Sequence, residues 1–250
     1  MTGGEGAARS GCIIEEQYIT APLSRGGDGI TVYGSDGPVI IRNCTVDLGR
    51  WPLDKLDEGI SGVDGARAVI RRTRVTRVGK AILWGNGDYP DTDPDAELVL
   101  EDCIIRDVGR RAPEAQDGVR VIMRRCVIRN WGIGSRFTVR SFGAWAHDGA
   151  SIRAEDCVFW QDRFWQSGLW GFVGDLANWI GWCFNRRDWN PLHWLLPGVC
   201  RGLTASQKGE VSASRCWTNR WWIRLQGHRG PRMSKREALA LMVELEGRLL

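Results

Sequence analysis

The 250-residue sequence lacks any long hydrophobic run, and no apolar stretch approaches the roughly 18 residues that a membrane-spanning helix needs. The first residues, MTGGEGAARSGCII, lack the basic start and apolar centre of a signal peptide. We therefore expect a cytoplasmic protein or a fragment of a longer secreted one. Cysteine pairs of the CxxC type and Cys/His clusters at zinc spacing are also missing, which argues against a structural zinc site.

What is present is ordinary for a soluble protein, with 43% hydrophobic residues and a mean hydropathy of −0.28. The net charge of +4 indicates only that an acidic ligand would not be repelled overall. The three histidines lie far apart without a Ser or Cys partner that suggests a catalytic triad, so each is expected to be an ordinary surface or hydrogen-bonded residue.

One short phrase recurs along the chain, with the pattern apolar, any, apolar, polar, polar, Cys, any, apolar. Clear copies are VIIRNCTV at 39–46 and LVLEDCII at 98–105. The sixth positions of the seven copies are Gln17, Cys44, Thr73, Cys103, Cys126, Cys157 and Cys216. Their spacings are 27, 29, 30, 23, 31 and 59, the last being about two periods. A repeat of this length predicts a solenoid.

Each phrase alternates apolar and polar residues and is rich in Val and Ile, which predicts a short strand. Gly/Asp turns and a second short apolar strand lie between phrases, with no helical pattern. The sequence therefore predicts an all-β fold, a parallel β-helix in which each strand pairs with its copy one rung above. A β-propeller is the alternative, but a period near 29 leaves little room for its four strands per repeat.

Five cysteines hold the sixth position of the phrase, where equivalent residues would stack inside the coil at about 4.8 Å. Small apolar thiols suit that place, so we expect reduced cysteines packed in the core rather than disulfides or metal ligands.

We predict one β-helix domain over residues 1–233, with a Trp-rich insertion at about 160–205. That insertion could cover part of the coil or its end, offer a stacking surface for sugars, or come from a damaged gene. Leu and Met at helical spacing predict a C-terminal capping helix over 234–250, with Ser234 as its N-cap.

A solenoid makes equal offsets from the repeated phrase spatial neighbours. Asp28 lies 16 residues before its sixth position, and Glu58 and Arg111 each lie 15 before theirs. Lys80 lies 23 before its own, and the acidic insertion at 87–97 accounts for the difference. Two carboxylates and two cations on one face suit a calcium ion and an anionic polymer, although solvated turn residues are the simpler interpretation.

Four segments carry a resemblance to a known family, in the family's order and over about 12–160. They are GGDGITVYGSDGPVIIRNCTVDL, VGKAILWGNGD, RRAPEAQDGVRVIMRRCVIRNWG and RSFGAWAHDGASIRAEDCVF. The second resembles the pectate lyase pattern Asp-Lys-x-x-Leu-x-Gly-x-x-Asp, and the third resembles its Arg-x-Pro-x-x-Arg motif. The resemblance implies a right-handed parallel β-helix that cleaves polygalacturonate by β-elimination, with Ca²⁺ bound to the uronate carboxylate.

Carried over by position, the resemblance makes Arg111 the catalytic base and Lys80 a substrate-binding residue. It makes Asp28 and Glu58 metal ligands, with Asp57 beside the latter. Gly62 stands where the family has a second acidic residue. Gln116 stands where it has the second arginine of its motif, and Arg120 is the candidate replacement, so both are taken as substrate-binding.

Three functions stay open on the sequence: a polysaccharide lyase, a non-catalytic β-helix that binds polysaccharide or serves as a scaffold, and a glycoside hydrolase. The hydrolase needs paired acids, and the adjacent Asp57 and Glu58 would point to opposite faces of a strand. We expect an acidic polysaccharide as partner, a monomer, and no nucleic acid or membrane. Family resemblance implies a secreted protein.

Overall fold

The computed structural model describes residues 6–8, 11–20, 28–34, 37–49, 58–85, 96–132, 141–162, 200–220 and 223–249. Asp57 and most of the Trp-rich segment lie outside these ranges. In the described part, no helix is both long enough and apolar enough to cross a membrane.

The described residues form short strands and one helix. In chain order the strands are β1 (Gly6–Ala8), β2 (Ile13–Glu15), β3 (Tyr18–Ile19), β4 (Ile30–Tyr33), β5 (Val39–Arg42), β6 (Thr45–Asp47), β7 (Glu58–Val63), β8 (Arg67–Arg71), β9 (Arg74–Trp84), β10 (Glu97–Glu101), β11 (Ile104–Ala115), β12 (Arg120–Arg124), β13 (Val127–Trp131), β14 (Ser141–Ala146), β15 (Ser151–Glu155), β16 (Val158–Trp160), β17 (Cys200–Ala205), β18 (Glu210–Ser214) and β19 (Trp217–Thr218). The helix is α1 (Lys235–Arg248).

The strands stack in two sheets, and the paired strands run parallel to each other. The smaller sheet has the order β18-β15-β12-β10-β8-β5-β2. The larger follows β1-β4-β7-β9-β11-β13-β16-β19, with β3, β6, β14 and β17 also paired into it. Strands pair with their copies about one repeat away, which confirms the parallel β-helix.

Backbone hydrogen bonds confirm the repeat as the rung-to-rung register. The amide of Arg74 donates to the carbonyl of Cys44 at 2.9 Å, and the amide of Val127 donates to Cys103 at 2.9 Å. Each sixth position thus meets the residue that follows the next sixth position along the coil. The repeat spacing in the sequence is therefore also the spacing of the rungs.

The five repeat cysteines are buried inside the coil, as predicted, and carry free thiols. The Cys103 thiol donates to the carbonyls of Glu101 and Ile70, at 3.3 and 3.4 Å. These bonds satisfy a weak donor in an apolar interior, so the thiols pack as small core residues.

The residue before each sixth position has a left-handed backbone conformation, with φ between 45° and 56°. The set is Glu16, Asn43, Arg72, Asp102, Arg125, Asp156 and Arg215. Neighbouring side chains of the set carry opposite charges in places, and Arg125 bonds Asp102 at 2.7 Å. The fifth position of the phrase therefore makes the sharp turn between two strands.

Helix α1 is confirmed, and Ser234 is its N-cap. The Ser234 hydroxyl accepts from the amide of Glu237, whose carboxylate in turn accepts from the amide of Ser234, which is a capping box. The buried face of α1 packs against Ile104, Val127 and Val158 on three successive rungs. These contacts are with the side of the coil, whereas the sequence interpretation placed the helix over its end.

Candidate functional site

The register of the larger sheet brings the predicted site residues together. Glu58 pairs with Lys80, and Lys80 pairs with Arg111, on strands β7, β9 and β11. Asp28 precedes β4 directly, and the amide of its neighbour Gly29 donates to the Glu58 carbonyl at 2.9 Å. The prediction from equal offsets that these four residues align on successive rungs is confirmed.

Lys80 lies between two carboxylates. Its ammonium nitrogen is 3.0 Å from Oε1 of Glu58 and 3.9 Å from Oε2 of Glu114. The two contacting oxygens are therefore at most about 6.9 Å apart, the sum of those contacts. Burial and the nearby Asp28 raise the pKa of Glu58 above its ordinary value, although Lys80 opposes the shift.

Arg111 is held by an acidic and an aromatic neighbour. Its guanidinium forms an ion pair with Glu114 and lies over the Trp145 ring, 4.1 Å from the centroid. Only 14% of the Arg111 side chain is exposed. Burial lowers the pKa of Arg111 to about 10, with Glu114 opposing and the neighbouring Arg110 adding to the shift.

Glu114 and His147 belong to the same cluster, and the sequence interpretation did not select either. Nε2 of His147 lies 3.2 Å from Oε1 of Glu114, and Nδ1 lies 2.5 Å from Oδ2 of Asp148. Burial raises and the His147 bond, Arg111 and Lys80 lower the pKa of Glu114, and the net shift is downward. Burial lowers and the two carboxylates raise the pKa of His147, and here the net shift is upward.

A signal for Glu114 was available in the sequence. It lies 12 residues before Cys126, and Ser61 lies 12 residues before Thr73. Ser61 is also in the cluster, because its hydroxyl donates to Oδ2 of Asp28 at 2.6 Å. Counting back from the repeat at this second offset would have found both residues.

The two remaining candidates lie elsewhere. Arg120 begins β12 in the smaller sheet, is 61% exposed, and pairs with Glu97 at 2.7 Å. The Gln116 side chain donates to the Gly85 carbonyl at 3.0 Å and so ties two rungs together. The structure therefore does not bring Arg120 into the cluster, because the chain turns between Ala115 and β12 and enters the other sheet.

The side chains of the cluster do not fit a calcium ion. The Lys80 ammonium occupies the space between Glu58 and Glu114 where a divalent cation would have to compete with it. A Cβ atom at Gly62, where the family has an acid, would lie 2.5 Å from the Trp84 ring. Among the described residues, no group of three or more His, Cys, Asp and Glu side chains is placed to hold a metal. The predicted ligand Asp57 is outside those residues.

Residues 4–161 match the family model described as right handed beta helix region. This range is more than half of the chain and contains every residue of the cluster. Among curated proteins, none matches the sequence significantly. A coil of this kind is consistent with a protein that acts on or binds polysaccharide.

Proposed function

Because this chain belongs to the right-handed beta helix family, we propose that it acts on an acidic polysaccharide and cleaves a polyuronate such as polygalacturonate by β-elimination. The observation that carries the proposal is the row of Glu58, Lys80 and Arg111 on three successive strands, with an arginine whose pKa is lowered to about 10. Polyuronates are extracellular polymers, so the proposal also implies secretion.

The lowered pKa of Arg111 makes a small neutral fraction accessible, which an exposed arginine does not offer. In the proposed step, a neutral guanidine nitrogen of Arg111 takes the proton from C5 of the uronate. The electron pair of that bond forms the C4=C5 double bond, the C4–O bond breaks, and the leaving oxygen takes a proton from water. The cations beside Arg111 favour its neutral form and attract the uronate carboxylate.

No step of this proposal passes through calcium. The sequence resemblance predicted a calcium ion that withdraws charge from the uronate carboxylate. In the described cluster Lys80, Arg110 and Arg111 are the groups that supply positive charge. Calcium dependence therefore stays a separate prediction, and a chelator tests it.

A specific contact favours a second candidate function, binding without cleavage. The ion pair between Arg111 and Glu114 stabilises the charged guanidinium and opposes its use as a base. A protein with this cluster would hold an acidic glycan along the coil face and release it unchanged.

The test is to incubate purified protein with polygalacturonate and to follow absorbance in the near ultraviolet, where the C4=C5 double bond absorbs. A steady rise supports elimination. Retention on immobilised polygalacturonate without a rise supports the binding function and contradicts elimination. New reducing ends without absorbance would indicate hydrolysis by Glu58 and Glu114, whose separation falls within the range of paired glycosidase carboxyls.

A further inference from the structure

Strand β11 contains an irregularity beside the cluster. Val108 pairs with Val78 and Arg111 pairs with Lys80, so β11 has one more residue than β9 between the two pairs. Such a bulge breaks the alternation of side chains and redirects those near it. Arg110 and Arg111, which would point to opposite faces of a regular strand, are both only partly buried.

The charges around the bulge leave one cation over. Lys80 pairs with Glu58, and Arg111 pairs with Glu114. Arg110 makes no hydrogen bond or ion pair with any residue in the described part of the chain, and its Nε is shielded from solvent without an acceptor. Glu114 influences Arg110 only at longer range.

A guanidinium in this position lacks the anion that usually accompanies a buried charge. Its planar fork of donors matches a carboxylate in a bidentate arrangement, which is stronger and more directional than a single ammonium contact. Lys80, to which the sequence resemblance gave this role, already holds Glu58.

We propose that Arg110 binds the carboxylate of the polyuronate and thereby selects acidic over neutral glycans. The assignment rests on the function proposed above, since it names the residue that grips that substrate. Arg110 contacts the substrate carboxylate, and Arg111 stays beside the proton to be removed.

The test compares wild type with Arg110→Gln and Arg110→Lys, in binding to polygalacturonate and to uncharged galactan and in steady-state kinetics. Loss of a charged hydrogen-bonded contact should weaken polygalacturonate binding and raise KM by roughly 10- to 100-fold in Arg110→Gln. We expect kcat to change much less, Arg110→Lys to recover part of the affinity, and galactan binding to stay as weak as in wild type.

Arg71→Gln is the matched control, because Arg71 is an exposed arginine of the smaller sheet that pairs with Glu101. Thermal melts of all variants show whether each folds. Unchanged binding in a folded Arg110→Gln variant overturns the assignment, whether or not wild type cleaves the polymer. Weaker binding in that variant, together with a wild type that forms no unsaturated product, supports Arg110 and overturns elimination. A wild type that does not bind polygalacturonate overturns both.

Discussion

Glu58 and Lys80 occupy paired positions on β7 and β9, and the Lys80 ammonium lies 3.0 Å from the Glu58 carboxylate. Only 14% of the Glu58 side chain and 16% of the Lys80 side chain are exposed, so solvent screens this ion pair weakly. The pair stands where the sequence resemblance expected a calcium ligand beside a substrate contact. The positive charge next to Arg111 is therefore built into the protein.

Replacement of Arg111 by alanine should remove the proposed base. We expect the rate of unsaturated product formation to fall by roughly 10²- to 10⁴-fold, the usual contribution of a positioned acid or base. The measurement is the initial rise in ultraviolet absorbance with polygalacturonate as substrate. Arg71→Ala should keep the wild-type rate, because Arg71 lies on the smaller sheet. Equal rates in both variants would contradict the role of Arg111.

The pH dependence of the reaction follows from the pKa of Arg111, which burial lowers to about 10. Only the neutral guanidine accepts a proton, so kcat should rise about tenfold per pH unit below that pKa. We expect this rise to level off near pH 10. A kcat profile that is flat between neutral and alkaline pH would show that another group removes the proton.

The effect of calcium separates the cluster in this protein from the one that the resemblance implies. Since Lys80 stands between Glu58 and Glu114, we expect EGTA to leave both the rate and the affinity for polygalacturonate unchanged. Lys80→Gln, which removes the competing charge, is the informative comparison. Loss of activity with EGTA, restored by added Ca²⁺, would show that calcium binds in spite of Lys80.

Much of the fold was predictable because one pattern determines it. The repeated phrase places a small thiol inside the coil and a turn residue before it, and these two demands recur on every rung. The same period placed Asp28, Glu58 and Arg111 in register. Lys80 joined them once the insertion at 87–97 was discounted, because an insertion in a turn leaves the strand register intact.

The rest of the site depends on details smaller than the period. A single extra residue in β11 changes where Arg110 points, and no repeat pattern reveals it. The role of Glu114 comes from contacts with Lys80, Arg111 and His147 on three different rungs. Arg120 was misplaced for a related reason, because closeness in sequence to Arg111 does not keep it in the same sheet.

His147 should make stability depend on pH. Its two carboxylate partners, Glu114 and Asp148, raise its pKa above the ordinary 6.5 despite burial. The folded state therefore holds the proton more tightly, and this stabilisation is complete below pH 6.5 and is lost as pH rises through the folded pKa. The pKa of Glu114 is lowered, so that carboxylate stays ionised throughout this window.

The measurement is the free energy of unfolding by urea at pH 5.5, 7 and 8.5, for wild type and His147→Gln. We expect the advantage of wild type over the variant to be largest at the lowest pH and to shrink as pH rises. An advantage that stays constant would show that His147 contributes through packing against Trp145 alone.

Helix α1 should stabilise the coil through its buried face. Leu245 is fully buried against the outer side of the rungs, while Val243 on the same helix is 72% exposed. We expect Leu245→Ala to lower the free energy of unfolding by about 2 to 5 kcal/mol, and Val243→Ala to change it by less than about 0.5 kcal/mol. Both values come from urea denaturation followed by circular dichroism. If the two variants lose equal stability, α1 contributes through its own helicity, and its contacts with Ile104, Val127 and Val158 add little.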